Sequence, residues 1–193
     1  MTLELFDRLQ MRSPFRRGPT LLHPECPIEQ AVTSSDPHVQ EALLREIWRR
    51  APAFKDGALL IAHPDRLRVL ARTEALLRPA IDALVDRHGP AVVVHPAQVR
   101  YALGPPVLEP YMTLLLAGKS RPFGTLRRDL DRRRARVGRV ERGDAHFTLE
   151  AEAPLAALLG YADWLEASTG GCADASLWLS RYLPIDDDGP AAA

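Results

Sequence analysis

The chain has 193 residues, 46% of them hydrophobic, which is apolar material for one sizeable core or two small ones. Its 25 basic and 25 acidic side chains cancel, with a pI near 7.0, so whole-chain charge selects no partner and only a local imbalance can. Two distant cysteines, Cys26 and Cys172, exclude a disulfide scaffold. No apolar run nears the ~20 residues of a bilayer span, and the first residues lack a signal-peptide apolar core; a cytoplasmic location is expected, with no membrane partner.

In chain order, residues 1–22 form a leader, with Leu3, Phe6 and Leu9 at helical spacing before Pro14. "CPIEQAVTS" alternates as a strand. "SDPHVQEALLREIWRRA" starts a helix with Asp36 as N-cap and Pro37 at its first position. "GALLIA" and "LRVLA" are strands around the turn "HPDR". "TEALLRPAIDALVDRHGP" is a second helix, with Thr73 available as cap and Gly89-Pro90 as its stop. Pro79 inside it predicts a kink or a later start. "AVVVH" reads as a buried strand. The order then repeats: strand "VLEPYMTLLLAG", helix "RPFGTLRRDLDRRRA", a hairpin of "RVGRVER" and "HFTLEAEA" across Gly143-Asp144, helix "PLAALLGYADWLEAS", strand "ASLWLSRYL".

Two βαββαβ units in tandem predict an α+β fold of two ferredoxin-like domains with antiparallel sheets, at 23–103 and 104–184, followed by a disordered tail at 185–193. The rival arrangement is one α+β domain with a single continuous sheet.

Catalytic motifs are sparse. Gly118-Lys119-Ser120 has the ending of a phosphate-binding loop, but Thr113 stands where the first glycine is needed and Leu114 to Leu116 are too bulky to wrap a phosphate. The histidines at 23, 38, 63, 88, 95 and 146 show no metal-ligand spacing. No G-x-S-x-G elbow occurs. Glu150 and Glu152 alternate on one strand face and read as solvated carboxylates. No catalytic residue, metal or cofactor is expected, nor a small-molecule substrate.

Charge is unevenly placed. Residues 121–139 carry eight arginines against two aspartates, whereas residues 141–193 carry ten acids against two arginines. On a helical wheel Phe123, Leu126 and Leu130 mark the buried side. Arg128 and Arg132 point away from it, Arg127 and Asp131 lie beside them, and Arg133 and Arg134 flank the stripe. With Arg136, these arginines form a basic ridge suited to RNA phosphate or an acidic partner.

The second half resembles domain V of elongation factor G and the related ribosomal protection proteins. Leu108, Glu109, Pro110 and Met112 match its opening. Asp129, Leu130, Arg132 and Arg133 match its first helix. Pro154, Leu155, Ala156, Gly160, Tyr161, Ala162, Leu165, Thr169 and Gly171 match its second helix and exit, and Tyr182 ends the last strand. The first half resembles domain III more faintly, through "ALLREI" and through Pro96, Gln98, Val99 and Tyr101. It departs at "LARTEALLRPA", where the family has a glycine-led turn and Glu-Leu-His. The resemblance implies domains III and V without the GTPase domain, domain II or domain IV. Two functions follow. One is a non-enzymatic protein that binds the ribosome, ribosomal RNA or a translation factor. The other is a protein-interaction module that kept the fold and lost the ribosome, a reading favoured by Glu166, where the family often has arginine.

Overall fold

The computed structural model describes residues 23–49 and 57–185. The expected leader helix and most of the expected tail lie outside the described residues.

The first sheet contains β1 (Ile28–Ser34), β2 (Ala58–His63), β3 (Arg66–Ala71), β4 (Val92–Val94) and β5 (Gln98–Val99). Its order is β2-β3-β1-β4, with β5 also pairing β1, and every pairing is antiparallel. Helices α1 (Pro37–Arg49) and α2 (Glu74–His88) fill the two crossovers. Asp36 caps α1, its Oδ1 accepting from the His38 amide at 2.8 Å. Side chains alternate along the strands. Ile28, Val32, Leu67, Val69 and Ala71 therefore meet Leu43, Leu77, Ile81 and Leu84 in the core.

The second sheet contains β6 (Leu108–Lys119), β7 (Arg136–Arg142), β8 (His146–Pro154) and β9 (Ala173–Pro184), in the order β7-β8-β6-β9, again antiparallel. Helices α3 (Phe123–Arg132), α4 (Leu155–Leu158) and α5 (Tyr161–Thr169) cover one face. Met112, Leu114 and Leu116 pack there with Phe147, Leu149, Leu126, Leu130 and Tyr161. Both strand orders are that of the split βαβ plan, so the molecule is α+β with two ferredoxin-like units. Two separate sheets overturn the single-sheet rival.

Four local expectations need correction. "AVVVH" is not buried: β4 is an edge strand, and Val93 and Val94 are 48% and 36% exposed. Its apolar run records strand propensity, which edge and central positions share. The basic helix ends at Arg132, before "RRA", because Arg134 adopts a left-handed backbone, φ 57°. "PLAALLGYADWLEAS" is two helices, because Gly160 turns left-handed at φ 70° between them. In α2, Pro79 does not delay the start: it lies inside a helix that runs on to His88. The helix opens at Glu74, and Thr73 occupies the cap position without a side-chain hydrogen bond.

Gly118 explains the phosphate-loop-like ending. A Cβ there would lie 2.5 Å from the Cys172 carbonyl oxygen and 2.6 Å from the Ala173 Cα. The glycine lets β6 and β9 approach where they leave the sheet. The Lys119 amide donates to Cys172 O at 2.9 Å and the Ser120 amide to Ala145 O at 2.9 Å. The Ser120 hydroxyl donates to Gly143 O at 2.7 Å. The donors that would grip a phosphate are spent holding loop, strand and hairpin together.

The units meet through α2. The Glu74 carboxylate accepts the Gly160 amide at 2.8 Å, and Arg78 reaches both oxygens of Asp163 at 3.0 Å. The Tyr182 hydroxyl donates to Pro24 O at 2.8 Å; burial pushes its phenol up to about 12. The buried Arg100, in the connector to β6, donates to Cys26 O at 2.7 Å and pairs with Glu29 at 3.2 Å. A groove of about 500 Å³ between Arg72–Leu76 and Leu177–Leu179 marks the seam.

Candidate nucleic-acid interface

Helix α3 forms because Leu126 and Leu130, four residues apart, supply a buried stripe against the second sheet. Arg128 and Arg132, also four apart, occupy the opposite side and are exposed. Arg128 is held by a bond from its Nε to Gly124 O at 3.1 Å, leaving its terminal nitrogens outward. Arg132 enters no ion pair with a described residue. Arg134, in the left-handed position that ends the helix, is exposed as well. Ten residues at ~1.5 Å rise make the helical part of this ridge about 15 Å long.

The other three candidate arginines go elsewhere. Arg127 pairs with Asp131 one turn on, 3.2 Å away, which neutralises that flank. Arg136 opens β7 opposite Glu152. Its neighbour Val137 faces Ala151 of the core, so alternation turns Arg136 to the uncovered side of the sheet. Arg133 turns inward. Its Nε binds Asp129 at 2.7 Å and its Nη1 donates to Ala157 O at 2.5 Å. Its guanidinium lies 5.0 Å from the Tyr161 ring centre and 5.5 Å from that of Trp164. Burial, with the Asp129 charge second, pushes the Tyr161 phenol up; Arg133 opposes this.

Two residues outside the expected set extend the ridge at the start of α3. Arg121 is exposed in the turn before it. Arg142, at the end of β7, lies 4.8 Å over the ring of Phe123, the first residue of the helix. Arg121 shows in the sequence as an arginine two residues before Phe123, the first apolar residue of the helix. Arg142 does not, because only the β7–β8 hairpin brings it back to α3.

The uncovered face of the second sheet has the opposite character. Thr113, Leu115, Glu150, Glu152, Asp174 and Trp178 share it by register, with Arg136 opposite Glu152. Glu152 is paired with Arg181, while Glu150 and Asp174 stand exposed without an ion pair among the described residues. This face repels phosphate, whereas the helix side attracts it. Among the described residues no group of three or more histidines, cysteines or acids could hold a metal ion, and no helix is long and apolar enough to cross a membrane. Burial pushes the Cys26 thiol up, away from nucleophilic character.

These units define a two-domain ferredoxin-like protein with a basic helix face on its second domain. Residues 106–191 match the family model described as Elongation factor G C-terminus. Over 81 residues the chain is 36% identical to Elongation factor G 2 of Anaeromyxobacter dehalogenans, covering 42% of this chain and 12% of that protein. It is 34% identical over 82 residues to the mitochondrial elongation factor G of Aedes aegypti, covering 42% and 11%. The chain thus spans about a tenth of the length of the curated relatives it matches. The fold resembles that in the crystal structure of ttk003000868 from Thermus thermophilus, with a TM-score of 0.56 at 16% identity, over 88% of this chain and 42% of that one. The second unit is thus similar to the C-terminus of elongation factor G, over a little under half of this chain.

Proposed function

We propose that the protein is a non-enzymatic, cytoplasmic, translation-factor-like protein that binds the ribosome through its second unit. On this reading residues 23–103 stand as the counterpart of domain III and residues 104–184 as domain V. The observation that carries it is the outward arginine ridge on α3, Arg128, Arg132 and Arg134, placed on the unit that matches the elongation factor G C-terminus. A phosphate-rich partner fits such a ridge, because each neutralised phosphate releases condensed counterions. Arg133 and Arg127, already engaged within the protein, contribute little to it.

The test is co-sedimentation of the full chain with ribosomes across a salt series. The parent is expected to travel with ribosomes at low salt and to leave them as salt rises. Arg128→Glu with Arg132→Glu is expected to abolish co-sedimentation without changing the melting temperature. A parent that stays at the top of the gradient at low salt, with and without translation factors, sinks the proposal. Recovery of one non-ribosomal partner instead would establish the protein-interaction reading.

A further inference from the structure

We infer that the uncovered sheet face of the second unit is a docking site for a second copy of this chain, with the α3 arginines of one molecule seated on the sheet of the next. The inference stands apart from the ribosome reading, since it needs only this chain. On the sheet, Leu115 is 38% exposed and Trp178 46% exposed, and register places them with Thr113 and Ala117 in one strip along β6 and β9. Glu150 stands beside Leu115 on β8, and Asp174 beside Ala117 on β9. Both acids are exposed, and neither has an ion pair among the described residues. Two strand spacings and one two-residue step put their Cα atoms about 12 Å apart. The arginines of this face are engaged elsewhere on it: Arg136 lies opposite Glu152, Arg181 pairs with Glu152, and Arg139 pairs with Glu141. The Glu150–Asp174 end therefore keeps its negative charge.

The helix side supplies what this strip calls for. Arg128 and Arg132 are exposed, their Cα atoms about 6 Å apart along α3, and long side chains can span the remaining distance to two carboxylates. Guanidinium groups pair with carboxylates and also lie flat on aromatic rings. Within the protein they already do both: Arg142 covers Phe123, and Arg133 sits between Asp129 and Trp164. Two facts favour a second copy over another cationic protein. The arginines and the strip lie on opposite sides of one sheet, so every molecule carries both halves of the contact. The 25 basic and 25 acidic side chains cancel, so copies approach without net repulsion. Because the two surfaces differ and stand back to back, the contact is head to tail. It continues into chains or closes into rings and does not stop at a symmetric pair. Exposed ion pairs are individually weak, so the association is weak and sensitive to salt.

The experiment is analytical ultracentrifugation of the full chain at concentrations up to about 0.2 mM, in about 0.05 M and about 0.5 M salt. At low salt the weight-average mass is expected to climb past twice the 21.4 kDa of one chain as concentration rises. At high salt it is expected to fall back toward one chain. Arg128→Glu with Arg132→Glu makes both surfaces acidic, and Glu150→Arg with Asp174→Arg makes both basic. Each double variant alone is expected to stay at the mass of one chain and to keep the parent melting temperature. Mixed in equal amounts, the two again present opposite charges and are expected to associate. Trp178→Ala changes no charge and is expected to weaken association roughly threefold through loss of one arginine–indole contact. A parent that stays at one chain in low salt overturns the inference, as does a mixture no heavier than its components. Association that survives both charge reversals, or that stops at the dimer, assigns the contact to other surfaces and overturns it too. A Trp178→Ala variant that associates as tightly as the parent removes the strip from the contact.

Discussion

Arginine at position 133 shows how residue type and residue role separate. Sequence spacing places it at the margin of the apolar stripe, where its stem covers the edge and its head stays in solvent. In the fold that margin is occupied by Tyr161 and Trp164, and the guanidinium closes on Asp129 and the Ala157 carbonyl. Its side chain is 21% exposed and that of Asp129 10%, so the pair has left most of the solvent. Arg133→Ala is expected to cost about 2 kcal/mol in urea unfolding, since Asp129 and the carbonyl lose a charged partner. Tyr161→Phe is the contrasting change. The Tyr161 hydroxyl finds no hydrogen-bond partner among the described residues, so its removal is expected to stay within about 0.5 kcal/mol of neutral. A larger loss for Tyr161→Phe than for Arg133→Ala would refute this division of roles. Arg128 and Arg132 were legible as outward because one helix decides their direction. Arg133 was not, because its partners other than Asp129 come from α4 and α5.

At the scale of elements, the break between α4 and α5 does more than turn the chain. Gly160 presents its amide to Glu74 of the first unit, so a turn in one unit is tied to a helix start in the other. Burial raises the Glu74 carboxyl above its ordinary value; the Gly160 bond opposes this, Asp163 adds to it and Arg78 opposes it. A carboxyl raised in the folded state binds more protons there than in the unfolded chain. Its contribution is therefore complete below its unfolded value near 4.5 and is lost as pH rises through the raised one. Glu74→Gln keeps an oxygen acceptor for Gly160 and removes the titration. The variant is expected to show a flatter stability curve than the parent from about pH 4.5 upward, measured by urea midpoints at stepped pH. Parallel curves would show that Glu74 does not titrate with folding. Glu74 is an acid in the first turn of α2, and nothing local announces that Gly160 will stand opposite it.

At the scale of the whole molecule, the same contacts decide whether two small units behave as one. The buried residues of the two ferredoxin-like units join in one hydrophobic cluster, and the seam adds Glu74–Gly160, Arg78–Asp163 and Tyr182–Pro24. Arg78 and Asp163 are exposed, so that pair alone contributes at most about 1 kcal/mol. Removing it with the Glu74 contact, in Glu74→Ala with Arg78→Ala, is expected to divide one calorimetric transition into two, with the second unit's transition unmoved. A single transition at the parent temperature would mean that the apolar seam around Leu76, Leu177 and Leu179 suffices.

The sequence by itself determined the order of strands and helices, the repeat of that order, and the concentration of arginine in one helix. These depend on periodicity and spacing within a few residues. It also carried enough of the second unit's pattern to place it beside elongation factor G. The tertiary structure decided that Arg133 turns inward, that Arg142 lies over Phe123 at the start of the arginine helix, and that Gly118 serves strand packing. Each of those outcomes depends on strand register and on chain reversals that bring distant residues together, and no local pattern encodes where a reversal will place its arginine.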